Sequence, residues 1–442
     1  MQQAQAQAQK HWILNLSTLH KGGAVQVAIS FLHDLSDLYH KNIEPHSITI
    51  FLSSTLASQI SPSILQKFKH HIFPISPARS QSARKHIEDL IQAIHPDLVF
   101  SLFGPCYLQI NHCPHLMGIC NGWSTHADKL AFSAFSTPFQ KIKRHLTNLY
   151  LKKHLKHATH WITEAPIAQK GAIKKLKLPP EKIFIIPNEV SIFYKPYLNQ
   201  APQLINTSPA KPLNLFIFCS AYPHKNIKIL IPTLIALLQK NISQARFHLT
   251  LPESSREYQN LFTQIKKYDL ENYFINHGPT TPQDGTELYK KMDALLFPSL
   301  LETYSVTPLE AITMGIPVLL SNIAAHQDLF TEDLITFFNP LDPEDIANQI
   351  IKLIQHPELA LIKQIQAKAW LQKILSEKKS RTQAYLELVN QIISPTQPTA
   401  AASSPAGLPP DRHLDTTRLS AELQPQNPTA DATAIADELY RN

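Results

Sequence analysis

Short apolar runs alternate along the chain with longer segments in which apolar residues recur at helical spacing. Before residue 200, the apolar runs lie at 12–16, 47–52, 98–102, 116–120, 161–163 and 183–186. After a stretch rich in Pro and Asn, they resume at 213–219, 247–251, 273–276, 294–297 and 317–320. This alternation is typical of βα units in parallel sheets. It predicts an α/β protein with two Rossmann-like, doubly wound parallel-sheet domains that face a cleft.

The same pattern divides the chain into six parts. We expect a flexible N-terminus at 1–10, a first domain at 11–195, an interdomain linker at 196–212, a second domain at 213–375, a helix at 376–394 and a disordered tail at 395–442. The tail holds seven prolines among Ala, Ser, Thr and Gln. Such a segment cannot bury enough apolar surface to offset the entropy of ordering.

Composition and charge restrict the classes of protein that this chain can represent. Of 442 residues, 43% are apolar, which is enough for two large cores. Lys and Arg exceed Asp and Glu by 41 to 34, so acidic partners are favoured. Basic residues are not interleaved with aromatic ones in a nucleic-acid motif, and we expect no nucleic-acid partner. A signal peptide and long apolar spans are lacking, which predicts a cytoplasmic protein.

The four cysteines are too few for a disulfide framework in a chain of this length. Cys106, Cys113 and Cys120 lie near His112 and His115, but their spacing matches no standard zinc site. Buried structural thiols are the favoured interpretation. We therefore expect no metal site among these residues.

Two strand-to-helix junctions carry candidate anion-binding groups. Gly22 and Gly23 precede the first long helix, where free backbone amides can bind an anion and glycine permits close approach. A tight turn that needs positive φ explains the glycines equally well. In the second domain, Lys225 and Asn226 follow the run at 213–219. We expect Lys225 in a first helical turn, where the macrodipole disfavours a cation unless an anion binds there; a solvated lysine is the alternative.

The strongest chemical signal lies at 297–311, where Glu302 and Glu310 are eight residues apart. Thr307 and Pro308 resemble the N-cap and first position of a helix, so Glu310 fits the carboxylate of a capping box. Glu302 has no such structural role. It lies in a loop that we expect at the carboxyl ends of the strands, lining the cleft.

A basic segment at 140–157 contains six Lys or Arg residues and no acid. Ile142, Leu146, Leu149 and Leu155 recur at near-helical spacing, which predicts an amphipathic helix. One hypothesis is that this helix docks on an anionic membrane surface. The alternative is an ordinary surface helix that packs its apolar face on the protein.

The Glu-x7-Glu element, with Pro-Ser at 298–299 before it and Gly-x-Pro at 315–317 after it, resembles the signature of the family 4 retaining glycosyltransferases. The glycine pair, Ile-Pro-Asn at 186–188, Pro-His-Lys-Asn at 223–226 and Asn-His-Gly at 276–278 fit the same family in order. The resemblance covers residues 11 to about 390. It implies a GT-B fold in which the second domain holds the nucleotide sugar and the helix at 376–394 crosses back to the first domain.

The resemblance also implies roles for individual residues. Glu302 would contact the transferred sugar, Lys225 would neutralise the diphosphate, and His126 would replace a sugar-contacting histidine of the family, because the run at 116–120 ends in Asn121. Asn121 itself is expected to contact the acceptor or the sugar. The residues expected to bind the donor are Gly22, Gly23, Asn226, Gly278, Tyr304, Ser305, Val306, Thr307 and Glu310, with Glu310 on the ribose hydroxyls.

One departure from the family concerns the diphosphate. Relatives usually carry an Arg a few residues before the lysine, whereas this chain has Ser220, Ala221 and Tyr222 there. Lys225 would then be the main cation of the phosphate clamp.

The resemblance implies a metal-independent, retaining glycosyltransferase of the hexosyltransferase type, which needs no cofactor because the nucleotide sugar is its substrate. It would transfer a sugar from a nucleotide-diphosphate sugar to a saccharide or lipid-linked acceptor, in cell-envelope polysaccharide or glycolipid synthesis. We expect it in the cytoplasm or peripherally on the inner face of the cell membrane. The alternatives are a nucleotide-sugar epimerase or sugar phosphorylase of the same fold, or a non-catalytic membrane-surface or scaffold protein.

Overall fold

The computed structural model describes residues 10–20, 22–40 and 46–394. The predicted flexible N-terminus, apart from Lys10, lies outside the described residues, as does the predicted tail at 395–442.

Seven parallel strands form the first sheet, in the spatial order β3-β2-β1-β4-β5-β6-β7. The strands are β1 His11–Leu16, β2 Ser47–Ser53, β3 Lys69–Phe73, β4 Leu98–Ser101, β5 His115–Ile119, β6 His160–Thr163 and β7 Ile183–Ile185. The helices of this domain are α1 Gly23–His40, α2 Ser54–Ala57, α3 Pro62–Leu65, α4 Gln81–Ile94, α5 Gly122–Thr125, α6 Lys129–Phe132, α7 Pro138–Leu155 and α8 Pro166–Gly171.

The central strands of this sheet are buried on both faces. In β1, Leu14 packs in one core with residues of α1, whereas Ile13 packs in a second core with residues of α4. Successive side chains of a strand point to opposite faces, so a continuous apolar run serves two helix layers. This explains why the apolar runs of the sequence marked these strands.

Six parallel strands form the second sheet, in the order β10-β9-β8-β11-β12-β13. The strands are β8 Leu213–Ile217, β9 Ala245–Leu249, β10 Phe274–Asn276, β11 Ala294–Phe297, β12 Val318–Ser321 and β13 Thr336–Phe338. The helices are α9 Leu230–Gln239, α10 Arg256–Lys267, α11 Pro282–Tyr289, α12 Val306–Met314, α13 Ala324–Gln327 and α14 Pro343–Gln355. The predicted fold class, two parallel-sheet α/β domains, is confirmed.

Two long helices complete the described chain: α15 Pro357–Glu377 and α16 Arg381–Ile393. α15 packs on the second domain, but α16 contributes to the core of the first. Tyr385 of α16 lies edge-on to Phe31 and Phe100, with ring centroids 5.3 and 5.2 Å away. The end of the described chain therefore ties the second domain to the first. None of the described helices is long and apolar enough to cross a bilayer.

Candidate active site

The loop after β11 and the start of α12 carry the two glutamates of the Glu-x7-Glu element. α12 begins at Val306 with Ser305 as its N-cap, so the expected N-cap at Thr307 is wrong. Pro308 lies at the third helical position, which tolerates proline because the amide there would have no intrahelical acceptor. The capping-box explanation for Glu310 is therefore also wrong, since Glu310 lies beyond the first turn of the helix.

Glu310 carries a carboxyl group with no hydrogen-bond donor among the described residues. The residue is only 7% exposed, and burial is the sole cause of its shifted pKa. The neighbouring Tyr289 directs its hydroxyl to the carbonyl of Thr307 instead, at 3.3 Å. Burial raises the pKa of Glu310 to about 8. Since no described residue donates to it, this carboxyl is suited to accept hydrogen bonds from a ligand.

Lys225 and Glu302 form an ion pair on the carboxyl side of two adjacent strands, β8 and β11. Lys225 Nζ donates to Glu302 Oε1 at 2.5 Å, and both side chains are largely buried. Lys225 also lies 4.9 Å from the centroid of the Phe297 ring. Burial alone would raise the pKa of Glu302, but the Lys225 ammonium and His224 hold it below its usual value. Glu302 is therefore the charged carboxylate of the element, whereas Glu310 is the one that burial keeps protonated.

The position of Lys225 corrects the expectation of a first helical turn. Lys225 ends a short 3₁₀ turn, Pro223–Lys225, and α9 begins only at Leu230. Asn226 comes next with φ of 55°, in the left-handed region, and this residue separates the turn from the segment that leads into α9. Lys225 is consequently presented by a loop, and the α9 macrodipole does not explain its placement.

His126 connects the first domain to the same loop. It directly follows α5, and its Nε2 donates to the backbone carbonyl of Glu302 at 2.7 Å. Its Nδ1 accepts from Thr125 Oγ1 at 2.9 Å. Burial lowers the pKa of His126, which favours the neutral ring that this pair of hydrogen bonds requires. The cleft is thus bridged beside the ion pair.

The glycine pair faces the second domain across the cleft. Gly22 has φ of +76°, so the positive-φ turn does explain this glycine. A Cβ on Gly22 would lie 3.3 Å from the hydroxyl of Tyr222, whereas a Cβ on Gly23 would meet no atom within 4 Å. Gly23 is also the first residue of α1, whose first amides lack intrahelical acceptors. An anion could approach these amides without displacing a side chain.

Three other predicted site residues form hydrogen bonds with residues outside the ion pair. Asn121 caps α5 by accepting from the amide of Trp123, and Asn226 donates its side-chain amide to the carbonyl of Pro340 at 2.7 Å. Gly278 follows β10, two strands away from β8, and its amide donates to Asn276. The structure does not bring these three residues to the Lys225–Glu302 pair through any hydrogen bond between described residues.

The remaining predicted residues surround the start of α12. Tyr304, Ser305, Val306 and Thr307 run in sequence from the loop into the first turn, where the amides of Val306 and Thr307 have no intrahelical acceptor. Ser305 directs its hydroxyl to Nε2 of His326, at 3.0 Å. His326 in turn donates from Nδ1 to the carbonyl of Ser321 at 2.8 Å. Ser305 can therefore offer a ligand its backbone amide but not its hydroxyl proton.

Sequence reasoning missed two residues that contact this loop, Glu164 and His326. Glu164 directly follows β6 and accepts a hydrogen bond from Thr303 Oγ1 at 2.9 Å. An acid immediately after the apolar run at 161–163 was a usable signal, because it marks the carboxyl end of a parallel strand. His326 had no comparable signal in a chain with 22 histidines.

The cysteine and histidine residues at 106–120 do not assemble into a ligand set. Cys106 is buried, and burial raises the pKa of its thiol to about 11. Within the described ranges, no group of three or more His, Cys, Asp or Glu side chains converges in a way that could hold a metal ion.

Comparison with known proteins finds a family match in the second domain. Residues 205–370 match the family model for glycosyl transferases group 1. The O-antigen chain mannosyltransferase RfbU of Salmonella typhimurium is 23% identical over 226 residues, which cover 51% of this chain and 59% of that protein. The chain thus spans little more than half the length of this curated relative.

Solved structures share the fold over most of the chain. A glycosyltransferase from Rickettsia africae has a TM-score of 0.63 at 16% identity, covering 88% of this chain and all of that one. Anabaena Alr3699/HepE, in complex with UDP and glucose, has a TM-score of 0.60 at 19% identity, covering 86% and 99%. WaaG, a glycosyltransferase involved in lipopolysaccharide biosynthesis, has a TM-score of 0.63 at 14% identity, covering 87% and 99%. The chain therefore has the GT-B fold, and its residues 205–370 match the group 1 glycosyl transferase model.

Proposed function

We propose that this protein is a retaining glycosyltransferase of the family 4 type, which moves a hexose from a nucleoside-diphosphate sugar to a saccharide or lipid-linked acceptor. The observation that carries the proposal is the buried carboxyl of Glu310, which has no hydrogen-bond partner among the described residues and lies on α12, the helix that follows the loop of the Lys225–Glu302 pair. In a group 1 domain, this arrangement suits a ribose on Glu310 and a diphosphate near Lys225 and the first amides of α12.

The proposed reaction needs no side chain as a strong base. The acceptor hydroxyl attacks the anomeric carbon from the face on which the nucleoside diphosphate leaves. The new C–O bond forms as the bond between sugar and phosphate breaks, and the departing phosphate oxygen takes the hydroxyl proton. The anomeric configuration is kept.

Charge stabilisation would then be the main contribution of the protein. Negative charge develops on the departing diphosphate, where the Lys225 ammonium and the amides of Val306 and Thr307 are suited to receive it. These groups supply positive potential without a divalent cation, so metal-independent transfer is part of the proposal. Glu302 would hold Lys225 in place and contact the sugar. Transfer that persists in EDTA, with the donor and acceptor unchanged, is the expected result.

Nucleotide binding tests the donor site directly. Thermal stabilisation of wild type by UDP, GDP, ADP and CMP should single out one base, because a ligand at 100 times its dissociation constant adds about 2.7 kcal/mol. A nucleoside diphosphate is the expected ligand, as one of the structural relatives is a complex with UDP. Failure of every nucleotide to stabilise the protein would contradict the proposal and favour the non-catalytic alternative.

Dependence on acceptor separates transfer from the other reactions of this fold. With the responding nucleotide sugar as donor and octyl glycosides as acceptors, donor consumption should require the acceptor. An epimerase would convert the nucleotide sugar without any acceptor. A phosphorylase would require inorganic phosphate instead.

The surface of α7 supports an anionic membrane as the acceptor-side partner. Its Phe139, Ile142, Leu146, Leu149 and Tyr150 are between 46% and 74% exposed. The helix packs on the protein through a different face, which holds Arg144, Asn148 and Leu155. Tyr150 contacts the Tyr107 ring and accepts a hydrogen bond from Arg84, but the other four side chains of the apolar stripe remain at least half exposed.

Positive charge flanks this apolar stripe on both sides. Lys141, Lys143, Lys153 and Lys156 are exposed, and the helix contains no acid. Apolar side chains beside exposed lysines suit the headgroup region of an anionic bilayer. We infer that α7 docks the first domain peripherally on the inner face of the cell membrane, where a lipid-linked acceptor would be reached.

Flotation with vesicles tests the membrane surface. Wild type should float with phosphatidylcholine vesicles that contain phosphatidylglycerol, and less so without it. The triple variant Ile142→Ser, Leu146→Ser, Leu149→Ser should lose flotation but keep nucleotide binding. A matched control replaces the exposed Leu359 and Ile362 of α15 by Ser. Equal flotation of the triple variant and the control would contradict the docking surface.

A further inference from the structure

A buried polar cluster lies where the first domain, the second domain and the crossover helix meet. Glu164, only 5% exposed, follows β6 and accepts hydrogen bonds from Thr303 and from the side-chain amide of Asn188. Arg381, at the start of α16, is only 2% exposed. Its charge acts on Glu164, but its Nε and Nη2 have no hydrogen-bond partner among the described residues.

The side chain of Thr303 depends entirely on the first domain for its hydrogen bonds. Its hydroxyl lies 2.9 Å from Glu164 Oε2 and 3.4 Å from the carbonyl of Cys120. The preceding residue, Glu302, gives its backbone carbonyl to His126. This loop of the second domain is therefore positioned from across the cleft, and opening of the cleft would release it.

Core stability alone does not explain a glutamate at position 164. Burial raises the pKa of Glu164 to about 7, although the hydrogen bonds from Thr303 and Asn188 oppose this rise. Buried charged pairs are often less stabilising than apolar side chains of similar volume, because desolvation offsets their attraction. A directional acceptor is more useful here than an apolar side chain, since it fixes the Thr303 hydroxyl in one place.

We propose that Glu164 is a positioning residue that acts through Thr303 to hold Glu302 in its working place when the two domains are closed. This inference rests on the proposed transferase function. It assigns to the first domain a part in ordering the donor loop, in addition to binding the acceptor. Nucleotide binding, which we assign to Glu310, Lys225 and the start of α12, involves no direct contact with Glu164 and should depend on it much less than transfer does.

Two substitutions test the hydrogen bond between Thr303 and Glu164, one at its acceptor and one at its donor. Glu164→Gln keeps the volume and removes the charge, whereas Thr303→Val replaces the hydroxyl by a methyl group. Each should lower kcat by about 10- to 100-fold, the range expected for a hydrogen bond to a charged group. The Kd for the nucleotide should stay within about twofold of wild type, because the binding groups are untouched. The double variant should lose no more activity than the more affected single variant, since both substitutions break one interaction.

Glu189→Gln is the matched control. Glu189 accepts a hydrogen bond from the amide of Arg381, so it contacts the same crossover helix, but it makes no hydrogen bond to Thr303. This variant should keep kcat. If Glu164→Gln does not fold, the smaller change Thr303→Val provides the decisive measurement.

The outcomes separate this inference from the proposed function. Wild type that neither binds a nucleotide nor transfers sugar would contradict both. Active wild type with an equally active and stable Glu164→Gln variant would contradict only the positioning role. Activity losses that multiply in the double variant would also contradict it, because independent effects would then be at work.

Discussion

Replacing Glu310 by Gln should affect stability and ligand binding in opposite directions. The carboxyl has a pKa of about 8, raised by burial from an ordinary value of 4.5. A carboxyl with a raised pKa costs the folded state nothing at acidic pH, and the cost grows as pH rises from about 4.5 to about 8. Since one pKa step corresponds to about 1.4 kcal/mol, the cost reaches on the order of 5 kcal/mol above pH 8.

Gln removes this cost because it carries no charge. Its buried amide has no partner either, which costs about 1 to 3 kcal/mol. The unpaired neutral carboxyl of wild type carries a comparable cost, so the net expectation is a gain of a few kcal/mol in the free energy of unfolding at pH 9 and little change at pH 5. The melting temperature of Glu310→Gln should therefore lie above that of wild type at pH 9 and close to it at pH 5.

Nucleotide binding should become weaker in the same variant. At pH 9, where Glu310 is ionised, the ribose hydroxyls would donate to a carboxylate that Gln lacks, so the Kd should rise by about 10- to 100-fold, as for other hydrogen bonds to charged groups. Calorimetric titration with the responding nucleoside diphosphate measures this, and Glu271→Gln, at an exposed acid, is the control. A melting-temperature difference that is the same at pH 5 and pH 9 would refute the buried, protonated carboxyl. An unchanged Kd would refute its role on the ribose.

Three further substitutions test the surroundings of the site. Lys225→Met should destabilise the protein by about 3 to 5 kcal/mol at pH 7 in urea unfolding, because it leaves Glu302 buried and unpaired, and adding Glu302→Gln should restore part of the loss. Below the lowered pKa of Glu302 the difference should no longer favour wild type, since the carboxyl is then protonated in both proteins and only wild type still buries the Lys225 ammonium. Lys368→Met should cost a similar amount, because this buried ammonium donates to three backbone carbonyls. Gly22→Val should cost about 1 to 3 kcal/mol in thermal unfolding and weaken nucleotide binding, because φ is +76° and a Cβ would crowd Tyr222.

The fold was largely predictable because parallel strands buried on both faces read as apolar runs. The two strands that the pattern missed, β3 and β13, lie at the edges of their sheets. Four of the five residues of β3 are exposed and its sequence is KHHIF, so no apolar run marks it. β13 is only three residues long. An edge strand has a neighbouring strand on one side only. Such a strand can be less completely buried, as β3 is, and its sequence then lacks a continuous apolar run.

Site residues that lie together in one segment of the chain could be predicted from the sequence. Contacts between residues far apart in the sequence could not. Glu302 and Glu310 were found from their spacing around a strand-to-helix junction. The helix start was misplaced because Thr-Pro is a common beginning of helices, whereas here Ser305 adopts the extended N-cap conformation. The contact between Thr303 and Glu164 joins residues 139 positions apart. Nothing local in the sequence specifies such a pair.

For α7, the sequence predicted the helix but not the face through which it packs on the protein. Its helical period was evident, but periodicity does not reveal which face packs on the protein. Arg144 stacks over Trp123 at 4.5 Å while Ile142 and Leu146 remain exposed. The usual arrangement for a surface helix is the reverse, with the apolar face packed and the cations in water. An exposed apolar stripe beside lysines is costly in water alone and favourable at an anionic bilayer. The first domain would thereby meet a membrane-bound acceptor while the cleft closes over the donor.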